Sequence, residues 1–126
     1  MTILEHINIT VSDGPRTAKW MQDVFGWHIR WQGRANNEQG ATIHIGTDTH
    51  YVALYTHDTK HKSNDASFVN IGAMNHIAVV TDDLATMDAK VRAAGFERGE
   101  HQHYEPGHRF YFWDHDGIEF EVVQYD

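Results

Sequence analysis

Two stretches decide how this chain folds: LEHINITVSD at residues 4–13 and MNHIAVVTDD at residues 74–83. Each places a histidine ahead of a run rich in apolar residues and closes on aspartate, so His6 and His76 stand at matching places in the two. An echo of this kind predicts two copies of one structural unit, related by a pseudo-twofold axis that brings the histidines together.

Working outward from the first copy, LEHINITV alternates apolar and polar residues and is rich in β-branched side chains, the pattern of a half-buried strand. The following SDGPRTAKWMQDVFGW (12–27) reads as a helix. Ser12 or Asp13 supplies its N-cap, Pro15 suits the first turn, and Gly26 suits the left-handed position past its end. Ala18, Met21, Val24 and Phe25 recur at helical spacing. In the second copy NHIAVVTD is the strand and DLATMDAKVRAAG (83–95) the helix, starting at Asp82 or Asp83 and stopping at Gly95. Leu84, Met87, Val91 and Ala94 form its apolar face. From His6 to Gly26 is twenty positions and from His76 to Gly95 nineteen, so the copies keep step.

Short strand-like runs follow each helix: WHIRWQG, ATIHIG and HYVALYTH in the first half, and FERGEHQH, HRFYFWD and IEFEVVQY in the second. Each half therefore reads β-α-β-β-β. The expected architecture is one α+β domain over residues 1–126, with module one at about 1–58, a polar connector at about 59–73 and module two at about 74–126. The modules are expected to pair into a curved-sheet half-barrel around a cleft.

Composition narrows the function. At 126 residues the chain fits one domain, and its formal charge of −8, without any Lys/Arg run, argues against a nucleic acid or an anionic membrane as partner. A small molecule and a second copy of the chain are the expected partners. With no cysteine, thiolate metal sites and thiol nucleophiles are excluded. No run is long enough for a membrane span, and MTILEHINIT is unlike a secretion signal, so the cytoplasm is the expected location. Eleven histidines is a high count for this length, and three of them crowd EHQHYEPGH (100–108).

Imidazole is a common ligand for zinc, iron, nickel and cobalt, and open catalytic sites usually add a carboxylate. The closing DHDGIEFEVVQYD (114–126) offers two, because a strand after the Gly117 turn carries Glu119 and Glu121 on one face.

The paired strand histidines, the β-α-β-β-β repeat and the closing YFWDHDGIEFEVVQY resemble the vicinal-oxygen-chelate superfamily. That superfamily includes glyoxalase I, fosfomycin-resistance thiol transferases, extradiol dioxygenases and bleomycin-resistance proteins, and the resemblance covers essentially the whole chain. It implies a divalent metal ion (Fe, Zn, Ni or Mn) held by His6, His76 and Glu121, the last placed by an Asp-Pro-Asp-Gly-type turn in which His115 replaces proline. Glu119 becomes an outer acid. The fourth ligand of glyoxalase I has no counterpart, since Ala53, Leu54 or Tyr55 falls at its place. A homodimer is also implied.

The resemblance leads to a metal-dependent, glyoxalase-like lyase or isomerase acting on a substrate that chelates the ion through adjacent oxygens. A ferrous extradiol dioxygenase is the alternative, because HYEPGHRFYFWDHDGIEFE partly matches the extradiol closing signature through His103, Phe110, Tyr111, Asp114, Gly117 and Glu121. As catalytic candidates, Tyr111 is placed to donate a hydrogen bond to a metal-bound oxyanion and His103 to shuttle a proton. Arg109 is a candidate partner for a substrate carboxylate or for Glu119. A metal-free binder of bleomycin-resistance type, with a cleft lined by Trp20, Trp31, Phe110 and Trp113, is the third reading.

Overall fold

The computed structural model describes residues 1–62 and 68–126, so part of the connector (63–67) lies outside the described residues. The chain divides into two compact units, Met1–Lys62 and Ser63–Asp126.

The first unit runs β1 (His6–Thr10), α1 (Gly14–Phe25), β2 (His28–Arg34), β3 (Gly40–Gly46) and β4 (Tyr51–His57). Its mixed sheet has the order β1-β4-β3-β2, with β1 parallel to β4. The helix starts where its sequence says it should. Asp13 accepts a hydrogen bond from the Arg16 amide at 3.1 Å, and Gly26, at φ 74°, returns its N–H to the Gln22 carbonyl. Its buried face includes Ala18, Trp20, Met21 and Val24. The sheet residues that alternate toward the helix, Ile9, Ile43, Ile45, Val52 and Leu54, are buried too. Trp20 and Phe25 meet edge to face at 5.1 Å, so Trp20 belongs to this core.

The second unit repeats the plan as β5 (Ile77–Val80), α2 (Leu84–Ala93), β6 (Glu97–Arg98), β7 (Gln102–Tyr104), β8 (Gly107–Trp113) and β9 (Glu119–Tyr125). Asp83 caps α2, its carboxylate accepting from the Thr86 amide and hydroxyl. Beyond the last turn, Gly95 takes φ 81°. Leu84 and Val91 are the buried side chains of α2, while Ala94 is exposed. The expected single strand FERGEHQH is two. Glu97 and Arg98 pair with Trp113 and Phe112, and Gln102 pairs with Arg109, which leaves one extra residue on the edge side. Such a bulge bends an edge strand and ends its regular pairing.

Phe110, Phe112, Phe120 and Val122 form the core on the α2 side of this sheet, with Phe112 stacked on Phe120 at 5.2 Å. Phe110 is fully buried there. The turn between β8 and β9 is built by Asp114, whose Oδ1 accepts from the amides of Asp116 and Ile118, while Gly117 takes φ 76°. Neither sheet closes into a barrel. Among the described residues, no helix is long and apolar enough to cross a membrane.

Candidate metal centre

The pairing of β5 with β9 and of β8 with β9 assembles the second unit's site. Ala78 lies beside Glu121, so His76, two residues earlier on the same face, falls beside Glu119. Across the sheet, Tyr111 lies opposite Glu121, Trp113 opposite Glu119 and Arg109 opposite Val123. All these side chains share the face turned away from α2.

His76 Nε2 lies 3.3 Å from Glu121 Oε1. Its other nitrogen, Nδ1, is 2.8 Å from Asn75 Oδ1 and 3.8 Å from Glu119 Oε2. When Nδ1 carries the proton and donates it to Asn75, the Nε2 lone pair is left for an electrophile, as in most metal-bound imidazoles. Glu121 is 7% exposed, and its second oxygen is occupied: Arg109 Nη1 donates to Oε2 at 2.9 Å and the Tyr111 hydroxyl donates at 3.2 Å. The two contacts fix the carboxylate so that Oε1 faces His76. Tyr111 also meets His76 edge to face at 5.6 Å.

The sequence left Arg109 to a substrate carboxylate or to Glu119, and the structure pairs it with Glu121. Glu119 sits opposite Trp113, nearer the turn, and accepts from its indole Nε1 at 3.2 Å. Arg109 is diagonal to Glu121, whereas Glu119 lies four residues from its partner Val123 along β9. Its Nε and Nη2 are buried without a hydrogen-bond partner, and its guanidinium covers the Tyr104 ring at 4.1 Å. Burial above all, then a hydrogen bond with Tyr104 and the Glu121 charge, pushes the Tyr111 phenol up to about 12. Tyr104 escaped the sequence reading. Its signal was the two-residue step from Gln102, which places it on the Arg109 face once the hairpin pairing is known.

A cavity of about 290 Å3 opens on this face, lined among others by His76, Tyr111, Trp113, Glu119 and Gln102. A larger one, about 760 Å3, lies in the first unit beside the start of α1. Its two acids are already engaged, Asp13 in capping α1 and Asp58 in a 3.0 Å pair with Arg34.

His103 does not join Arg109 and Tyr111. It pairs with His108 across β7 and β8, one step out of phase with the Gln102–Arg109 pair, and so lies on the opposite face of the sheet.

His6 holds the matching position in the first unit, and the pairing there extends the repeat. His6, Tyr51 and Ala53 stand where the second unit has His76, Glu119 and Glu121, and His44 stands where it has Tyr111. No carboxylate answers Glu121. Instead the rings of His6 and His44 each stack on Tyr51 at 4.6 Å, and Trp31 lies 5.2 Å from His44. Glu5 Oε1 lies 2.9 Å from His6 Nδ1. Burial is the main cause, with the neighbouring His6 and Arg30, that pushes the His44 imidazole down. His44 and Tyr51 were also missed, although carrying the repeat one strand further would have found them.

A fold of two β-α-β strand repeats, with a strand-entry histidine and a last-strand glutamate facing each other in the second, defines a class. Residues 3–122 match the sequence model of the Glyoxalase/Bleomycin resistance protein/Dioxygenase superfamily, and the chain belongs to it. The crystal structure of a glyoxylase/bleomycin resistance protein/dioxygenase domain from Frankia sp. EAN1pec is similar, with 19% identity, a TM-score of 0.85, and coverage of 100% of this chain and 93% of that chain. The fosfomycin resistance protein FosX from Mesorhizobium loti shows 22% identity and a TM-score of 0.75, covering 100% and 94%. FosX from Listeria monocytogenes, solved with Mn(II) and sulfate, shows 18% identity and a TM-score of 0.74, again covering 100% and 94%. No curated protein matches the chain.

Proposed function

We infer that the chain is a metal-dependent, glyoxalase-like lyase or isomerase acting on a small substrate that offers two adjacent oxygens. The observation that carries this is the 3.3 Å approach of His76 Nε2 to Glu121 Oε1, with Glu121 Oε2 held from behind. Two donors bound to one ion at about 2.0–2.2 Å sit roughly 3 Å apart, so the pair fits a divalent cation with little movement. His6 is the candidate third donor on the repeat argument alone. The neighbouring FosX structure that contains Mn(II) supports a divalent ion, and its metal is that protein's own.

When bound, the ion supplies Lewis-acid polarisation of the substrate's oxygens. The rest falls to the chain. Arg109 and Tyr111 hold Glu121 in place and balance its charge. Trp113, by binding Glu119, keeps that acid against the second nitrogen of His76. The 290 Å3 cavity suits a metabolite rather than a polymer. Two copies of the chain are expected to pair, and exposed Ile3, Leu4 and Val80 supply apolar surface for it. Light scattering checks that.

His103, the candidate proton shuttle, lies on the opposite face of the sheet from Tyr111, which weighs against that role in the lyase and the dioxygenase reading alike. The binder reading loses Trp20 and Phe110 to the two cores.

The test follows proton exchange by NMR in D2O, using α-hydroxy ketones and thiol hemiacetals of α-oxo aldehydes with the metal-loaded protein. Metal-dependent exchange at the carbon beside the carbonyl, lost in Glu121→Ala, is expected. No exchange with any member of the panel under any divalent ion contradicts a lyase or isomerase.

A further inference from the structure

Three histidines that the first site leaves unused, His101, His103 and His108, converge on a site of their own. In the β7–β8 hairpin His103 lies directly opposite His108, and the two imidazoles stack with centroids 3.8 Å apart and planes within 6°. Both rings turn Nε2 toward the carboxylate of Asp126, just past β9. His103 Nε2 is 3.6 Å from Oδ2, and His108 Nε2 is 3.9 Å from Oδ1. One donor atom from each of the three residues lies within 4.8 Å of the other two. The backbone is fixed at this point, because the Asp126 amide donates to the Pro106 carbonyl at 3.1 Å.

The fourth member orients the set. His101 Nε2 lies 2.9 Å from His108 Nδ1. When His108 carries its proton on Nδ1 and donates it to His101, its Nε2 lone pair faces Asp126, the arrangement that outer hydrogen bonds impose on metal-bound imidazoles.

We propose that His103, His108 and Asp126 form a second divalent metal site, on the α2-side face of the sheet and separate from the His76–Glu121 pair, with His101 as its positioning residue. The donor set is two imidazole nitrogens and one carboxylate oxygen with a position left open, which selects a first-row transition ion of the zinc, nickel or copper kind over magnesium or calcium. Tetrahedral donors at about 2.0–2.2 Å lie roughly 3.3 Å apart, so from a separation within 4.8 Å the side chains close in by about 1.5 Å or less. They are free to do so, since the side chains of His103 and Asp126 are each 57% exposed. The period-two alternation of β8 makes the site independent of the first: His108 points with Phe110 and Phe112, whereas Arg109 and Tyr111 point with Glu121.

The test uses untagged protein carrying Glu121→Ala, which removes the first site from the count. Zn(II) is titrated calorimetrically into this variant and into the same chain also carrying His103→Ala. The single variant should bind one equivalent, the double variant should lose it or bind at least tenfold more weakly, and His101→Ala should weaken it severalfold. Independently, 1H–15N spectra of the wild-type imidazoles should show His103 and His108 shifting together on addition of Zn(II), whether or not any variant folds. Equal binding by the single and double variants, or Zn(II) that leaves both imidazoles unmoved, overturns the site.

Discussion

Tyr111→Phe tests how the phenol supports the first site. It removes an oxygen and leaves the ring, so the edge-to-face packing on His76 at 5.6 Å survives. What goes is the hydroxyl bond to Glu121 Oε2 at 3.2 Å, together with the phenol's hydrogen bond with Tyr104, while the 2.9 Å bond from Arg109 stays. Hydrogen bonds to charged groups contribute about 1.5–3 kcal/mol. This one is longer than the 2.5–3.0 Å usual for O–H···O, so the low end, about 1.5 kcal/mol, applies. If the phenol serves to hold Oε1 toward His76, that energy appears as a roughly tenfold weaker divalent-metal affinity. Calorimetric titration of wild type and variant with Mn(II) or Zn(II), in a His103→Ala background that silences the hairpin, measures it. An affinity unchanged within twofold refutes the idea that Tyr111 organises the carboxylate.

Two further outcomes follow from the second unit's core and turn. Phe112→Ala removes a fully buried ring stacked on Phe120 and on Phe96, and should cost about 3–5 kcal/mol in urea denaturation; a loss under 1 kcal/mol contradicts the packing described. Burial pushes the Asp114 carboxyl up, so the folded chain holds its proton to a higher pH than the unfolded chain, whose value is about 3.9. Stability therefore falls as pH rises through the window between the two values, and stays lower above it. Asp114→Asn cannot ionise, so its stability relative to wild type should improve from pH 4 to pH 7, and a pH-independent difference contradicts this account.

Elements defined by local chemistry were legible in the sequence. The helix starts at Asp13 and Asp83 and the left-handed glycines at positions 26 and 95 depend on residues a few steps apart, and all four stand where they were expected. The shared face of Glu119 and Glu121 was legible for the same reason, since strand alternation needs no partner. Everything that required knowing which residue lies opposite which was hidden. The bulge between β6 and β7 exists only relative to β8. Arg109 was assigned to a substrate or to Glu119 because the sequence does not say that it falls diagonal to Glu121. His103 was grouped with Tyr111 because its face is decided by pairing with His108, and a slip of one residue reverses it. The aromatic run FYFW splits the same way, with Phe110 and Phe112 in the core and Tyr111 and Trp113 on the site face.

The proposed function requires that His76 and Glu121 hold an ion. The direct measurement is metal stoichiometry, by elemental analysis after equilibration with Mn(II), Fe(II), Ni(II) and Zn(II) in turn, on untagged wild type, His76→Ala and Glu121→Ala. For at least one ion the wild type should carry one equivalent more than either variant. Equal stoichiometry in all three proteins across the whole panel would contradict it.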